Sequence, residues 1–190
     1  MKGKTIQRAG RCRVTFAAAM ARGLSHEGVL LVVDVGKQRL RVITRRGVWR
    51  TFRVSTASNG VGNAAGSNAT PSGWHRVAKW IGDGAPAGQV FRSRRRTHRV
   101  LAPETWRMPE GEDLILSRIL WLAGLEPGIN QGPGIESFAR YIYIHGTNHE
   151  QQLGQPASHG CVRMGNRDVI ELFDFTQGRP TWCWLGLGHN

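Results

Sequence analysis

From residue 29 onward the apolar positions fall into short runs with β spacing. Val29 to Val35 is apolar except for Asp34, Gly36-Lys37 supplies a turn, and Leu40, Val42 and Ile43 mark a second strand. Val48, Phe52 and Val54 mark a third, so the three read as an antiparallel meander. Arg39, Arg41, Arg50 and Arg53 are interspersed with these positions, as a sheet with one wetted face requires. Residues 55 to 73 are mostly Ser, Asn, Gly, Ala and Thr, a composition with little to bury. It predicts a loop that ends in Thr70-Pro71-Ser72-Gly73-Trp74 and delivers a new strand. A glycine-rich segment, Gly82 to Gly88, precedes Val90-Phe91. The five arginines between Arg92 and Arg99 predict a solvated loop or hairpin edge in preference to a dedicated binding patch.

Leu114 to Leu125 fits a buried helix or a buried strand equally, because an apolar run of this length has no diagnostic period. Gly124, Pro127, Gly128 and Gly132 end it. Ala139 to Ile144, rich in aromatic and β-branched residues, predicts a strand aimed at His145-Gly146. Asn166 as N-cap, Asp168 in the first turn and the spacing Val169, Leu172, Phe173 predict a helix. Thr181 to Leu185 reads as a closing strand. The layout is one domain, residues 28–190, behind a basic extension, residues 1–27.

Composition sharpens this picture. A chain of 190 residues with 25 glycines fits a single turn-rich domain, and no run approaches the roughly 20 apolar residues of a membrane span. Net charge is +13, with +17 on residues 1–103 and −4 on the remainder. That asymmetry is an electrostatic footprint for a polyanion: nucleic acid, anionic lipid or anionic wall polymer. Within the first 25 residues six basic residues and no acidic one surround the short apolar run Val14 to Ala21. The run has the polarity of a secretory signal and ends in Ala19-Met20-Ala21. It is short, however, and interrupted by Thr15, so a basic, partly helical extension is the preferred reading.

Three cysteines at unrelated spacings make neither a disulfide framework nor a CxxC zinc site. Cys12 and Cys183 read as small buried hydrophobes. Cys161 differs, because it follows His159-Gly160 in a loop. A thiol is a poor nucleophile below its reference pKa of about 8.5, and a nearby imidazole can take its proton. His145, at the end of a strand, would have its ring fixed and one nitrogen tied to a backbone carbonyl, which supplies both base and orienting group. Gly160 lets substrate approach the backbone, and the amides of Gly160 and Cys161 can point at a developing oxyanion. His75, His98 and His189 lack such a setting and read as surface or hydrogen-bonding residues.

Tyr141 to Thr147 followed by Ser158-His159-Gly160-Cys161-Val162-Arg163-Met164 resembles the catalytic signature of the YkuD-like L,D-transpeptidases, cysteine enzymes that remodel bacterial peptidoglycan. Val29 to Asp34 with Gln38-Arg39-Leu40, Val54 to Ala57 and Thr70 to Gly73 are similar to further landmarks of that family, so the resemblance covers about residues 28 to 186. It implies a mostly β fold, a sandwich or flattened barrel with one or two short helices. It also implies Cys161 as nucleophile, His145 as proton acceptor and donor, and the Gly146 carbonyl as the group that orients the imidazole. Ser158, His159 and Gly160 would line the site, and Arg163 would contact a substrate carboxylate or, equally, form a structural salt bridge.

The implied reaction is attack on a tetrapeptide stem, release of terminal D-alanine and transfer to an amine, in the cell envelope, with no metal or organic cofactor. Donor and acceptor stem peptides would be the partners, with no nucleic acid and no membrane span. Three other readings compete. A zinc hydrolase built on His145, His149, His159 and Cys161 lacks an HExxH or CxxC frame. A basic binding module would use the +17 segment on a polyanion without chemistry. An L,D-carboxypeptidase or amidase would keep the acyl-enzyme and use water.

Overall fold

The computed structural model describes residues 14–107 and 111–188; Cys12, His189 and residues 1–13 of the basic extension lie outside the described residues. The meander is present as β1 (Val29–Asp34), β2 (Arg39–Thr44) and β3 (Gly47–Ser55), paired antiparallel. It is followed by β4 (Gly73–Ile81), β5 (Gln89–Arg92), β6 (Arg95–Val100), β7 (Ile115–Gly124), β8 (Tyr143–Thr147), β9 (Val162–Met164) and β10 (Thr181–Gly186). Two α-helices, α1 (Phe16–Ala21) and α2 (Asn166–Thr176), and two short 3-10 turns, Pro103–Thr105 and Glu150–Gln152, complete the described elements. The sheet order is β4-β10-β1-β2-β3-β9-β8-β7-β5-β6, and an added β4–β7 pairing closes eight of these strands into a barrel. The fold is thus mostly β, as expected, with the β5–β6 hairpin carried on the side of β7.

Closure explains why β1 has no alternation. Val29, Leu31 and Val33 face the main core with Leu40, Leu120 and Ile144, while Leu30 and Val32 face outward beneath Phe16 and Ala19 of α1. Both faces are covered, so both sets are apolar. Thr15, which weakens the N-terminal run as an export signal, is the N-cap of α1, its Oγ1 accepting the Ala18 amide at 3.1 Å.

The same logic resolves the segment that was open between helix and strand. β7 is a strand because Leu120 and Leu122 enter the main core while Ile119 and Trp121 join Phe91 and Tyr143 on its other side. A bulge between Leu116 and Ile119, with Ser117 at φ +65°, lets one edge of the strand pair with β5 at its start and with β4 beyond, while β8 pairs with it on both sides of the bulge.

Three expectations are corrected. The strand placed at Ala139–Ile144 begins only at Tyr143 and runs on through His145-Gly146-Thr147. Residues 139–141 turn locally, with the Arg140 amide bonded to the Glu136 carbonyl and Tyr141 at φ +58°. The N-cap of α2 is Gly165, not Asn166; Asn166 is the first helical residue, and Val169, Leu172 and Phe173 are buried as expected. Residues 55–73 are largely irregular but far from solvated throughout. Ala57, Ala69 and Thr70 are buried, and the Gln38 amide group pins Thr56 from both sides, accepting its N–H and donating to its Oγ1 at 2.8 Å each. The arginine run forms the expected hairpin, with β6 an exposed edge strand. Cys183 is buried in the core, as read.

Candidate active site

β8 and β9 lie side by side and parallel, with Ile144 opposite Val162 and His145 opposite Arg163. Cys161 immediately precedes β9, so this register sets it diagonally across from His145. Gly146 can lie here only because it lacks a Cβ, which would collide with Asn166 Oδ1 and the Leu116 carbonyl. Asn166 is buried and ties three elements together. It accepts from Ser117 Oγ in β7 at 2.7 Å and donates to the Thr147 carbonyl of β8 at 2.7 Å and to Glu150 Oε1 at 3.0 Å. Glu150 also accepts the Asn166 amide at 2.7 Å, so a distant carboxylate serves the N-terminus of α2.

His145 is buried, and its Nδ1 donates to the Gly146 carbonyl at 2.8 Å, which leaves Nε2 as the free acceptor. Burial pushes the imidazole pKa below its ordinary value, opposed by the Gly146 carbonyl and Asp113 and reinforced by Arg163, so the ring is neutral at pH 7. Cys161 Sγ lies between two backbone groups: the Tyr143 N–H donates to it at 3.4 Å, and it donates to the Tyr141 carbonyl at 3.4 Å. Its thiol is pushed up to about 11 by burial, partly offset by the Tyr143 N–H and by Arg163 and Arg140. Thiol and imidazole therefore rest as a neutral pair.

The loop before Cys161 is set by Ser158, whose Oγ donates to the Cys161 carbonyl at 2.6 Å and accepts the Gly160 amide at 3.3 Å. One of the two amides expected at an oxyanion is thus engaged by Ser158. Gly160 has φ +132°, a conformation that itself calls for glycine, and its carbonyl accepts from Thr70 Oγ1 at 3.0 Å. His159 is 71% exposed, with Nδ1 3.7 Å from Asp113. Arg163 is only 2% exposed; it bonds Asp113 and, at 2.9 Å, Gln152. Its guanidinium is placed as a salt bridge, the second of its two expected roles. His149 is buried on the same side of the molecule, with Nε2 unpartnered. His75 is buried against the Gly73 carbonyl and Ser137 Oγ.

Sequence reasoning assigned no role at the site to Asp113, Gln152 or Thr70, which join it from separate segments, and it read Asn166 only as a helix cap and Tyr141 and Tyr143 only as part of the segment before His145. Beside His159 opens a cleft of about 640 Å³ walled by Gly66, Asn68, Ile135, Arg140 and Ile142. Arg140 fixes one wall, donating to the carbonyls of Gly62, Asn63 and Ala69 and to Ser67 Oγ at 2.7–3.3 Å.

Fold and site define a closed β barrel with a buried histidine on one strand and a cysteine just before the parallel strand beside it. The family model for the L,D-transpeptidase catalytic domain, YkuD, matches residues 28–182, and the chain belongs to this family. It is 42% identical over 65 residues to the Bacillus licheniformis protein named "Putative L,D-transpeptidase YkuD", a match covering 34% of this chain and 36% of that one. YqjB of Bacillus subtilis is 50% identical over 34 residues, 18% of this chain and 19% of its own. The chain thus spans about a third or less of the length of the curated relatives it matches. The L,D-transpeptidase (residues 123–326) from Xylanimonas cellulosilytica DSM 15894 is 21% identical, with 90% of this chain and 68% of that one covered at a TM-score of 0.48. L,D-transpeptidase 3 from Mycobacterium tuberculosis, solved in complex with a faropenem-derived adduct, is 14% identical, with 83% and 60% covered at a TM-score of 0.49.

Proposed function

We propose that this protein is a peptidoglycan L,D-transpeptidase in which Cys161 is the nucleophile and His145 the proton carrier. The observation that carries the reading is the placement of Cys161 Sγ between the Tyr143 N–H and the Tyr141 carbonyl, on the strand pair that holds His145 with Nε2 free. Because thiol and imidazole are both neutral at rest, Nε2 takes the thiol proton as Sγ adds to the carbonyl carbon of the L-centred diamino acid. The Cys161 amide receives the developing oxyanion, joined by the Gly160 amide once it leaves Ser158. Collapse breaks the peptide C–N bond, His145 returns the proton to the departing D-alanine amine, and a thioester remains. An acceptor amine then adds to the thioester, loses its proton to His145 and expels Sγ. The cleft beside His159 takes the stem, and Ser158 shapes the loop rather than touching the reacting atoms. No metal or organic cofactor takes part. This reading places the protein at the wall, outside the cytoplasm, and the described residues contain no helix long and apolar enough to cross a membrane.

Intact-mass spectrometry with a disaccharide-tetrapeptide, in chelator and without acceptor, tests this. Wild type should gain the acyl mass and release D-alanine, Cys161→Ala should do neither, and His145→Ala should acylate slower by a factor of about 10² or more. An adduct on Cys161→Ala, or none on wild type, overturns the assignment. An adduct that decays unaided to the shortened stem makes water the acceptor.

A further inference from the structure

The β5–β6 hairpin reverses through Ser93 and Arg94, both in the left-handed region at φ +46° and +67°. That backbone turns the Arg94 side chain inward from an exposed edge. Its guanidinium carbon lies 5.1 Å from the ring centre of Trp121 and 4.8 Å from that of Tyr141, and Nη1 donates to Tyr143 Oη at 3.4 Å. Tyr141 and Tyr143 are the residues whose backbone groups hold Cys161 Sγ, and Cys161 itself packs against the cluster containing Trp121 and Tyr143. A guanidinium held by ring faces and one phenol keeps donor edges for an anion.

The neighbouring cations are spent or lie elsewhere. Arg92 is paired with Glu112, Arg163 with Asp113, and Arg140 with four oxygens of residues 62–69. Arg96 bonds the Asp83 carbonyl, and Lys79 lies over Trp121 and Phe138 without reaching either tyrosine. Among the described residues no carboxylate hydrogen-bonds Arg94. We propose that Arg94 is the receptor for the terminal carboxylate of the donor peptide, the carboxylate one residue beyond the bond that Cys161 attacks. This rests on the transpeptidase reading for the identity of the peptide, but not for the existence of an anion site at the thiol.

Two measurements on the full chain separate these. In the first, Cys161 is alkylated with iodoacetate and with iodoacetamide, and the site is verified by peptide mass. The anionic-to-neutral rate ratio should fall roughly threefold or more in Arg94→Gln, recover in Arg94→Lys and stay unchanged in Lys79→Gln. In the second, tetrapeptide donors ending in a free carboxylate or an amide are compared. Arg94→Gln should raise KM about tenfold for the acid with little change in kcat, and leave the amide donor as in wild type. A ratio that Arg94→Gln does not move overturns the proposal, and so does equal loss on both donors, which would mark Arg94 as a packing residue. If the ratio falls while wild type accepts neither donor, the anion site stands and the transpeptidase reading fails.

Discussion

At the residue scale, what distinguishes Cys161 is that its surroundings do not stabilise a thiolate at neutral pH. Desolvation outweighs the Tyr143 N–H and the cations of Arg163 and Arg140, and holds the thiol up to about 11. Reactivity toward iodoacetamide should therefore keep rising through pH 9 to 11 rather than level off near the ordinary thiol value, since the thiolate is the reacting form. A rate already flat from pH 6 to 8 would instead signal a preformed thiolate-imidazolium pair. The raised value also means the folded chain holds a proton that the unfolded chain has lost between about pH 9 and 11, so this group makes stability fall as pH rises through that window.

At the element scale, the site depends on α2 being locked to β7 and β8 through one side chain. Asn166 satisfies Ser117, Thr147 and Glu150 at once in a buried place, and Gly146 is the space that lets it approach. Asn166→Ala should cost about 2–4 kcal/mol in urea unfolding, because it strands buried partners on three elements. Acylation should slow as well, since the strand bearing His145 loses its support. A change below about 0.5 kcal/mol would show that water replaces the side chain without loss. α1 belongs to this scale too. Phe16 and Ala19 cover Leu30, Val32 and Trp74, so the apolar run of the N-terminal segment is part of the packed structure.

For the whole molecule, acid sensitivity should come in good part from a histidine outside the catalytic pair. His75 is buried between the Gly73 carbonyl and Ser137, and its pKa is lowered to about 4, chiefly by burial. Its contribution is complete above the unfolded value near 6.5 and is lost as pH falls toward 4, an effect of about 3 kcal/mol. The drop in unfolding free energy from pH 7 to pH 4 should be smaller by that amount in His75→Gln than in wild type. Equal drops would place the acid sensitivity elsewhere. The charge asymmetry acts at the same scale: Arg39 and Arg53 face each other across β2 and β3, a like-charge arrangement eased where the Arg53 guanidinium donates to the Leu153 carbonyl at 2.7 Å.

The sequence alone determined whatever depends on neighbours along the chain. The meander, the buried face of α2, the hairpin edge of arginines and the His-Gly and Ser-His-Gly-Cys segments were all legible, because periodicity and turn chemistry are local. Tertiary structure decided the rest. β7 is a strand because the closed barrel covers both its faces, which no periodicity of its own records. Arg163 is a buried ion pair because Asp113, 50 residues earlier, meets it there. Asn166 is a brace rather than a cap because Gly146 and Glu150 come within its reach. Arg94 is drawn toward the thiol by rings on two other segments, a placement that a run of arginines in the sequence does not reveal.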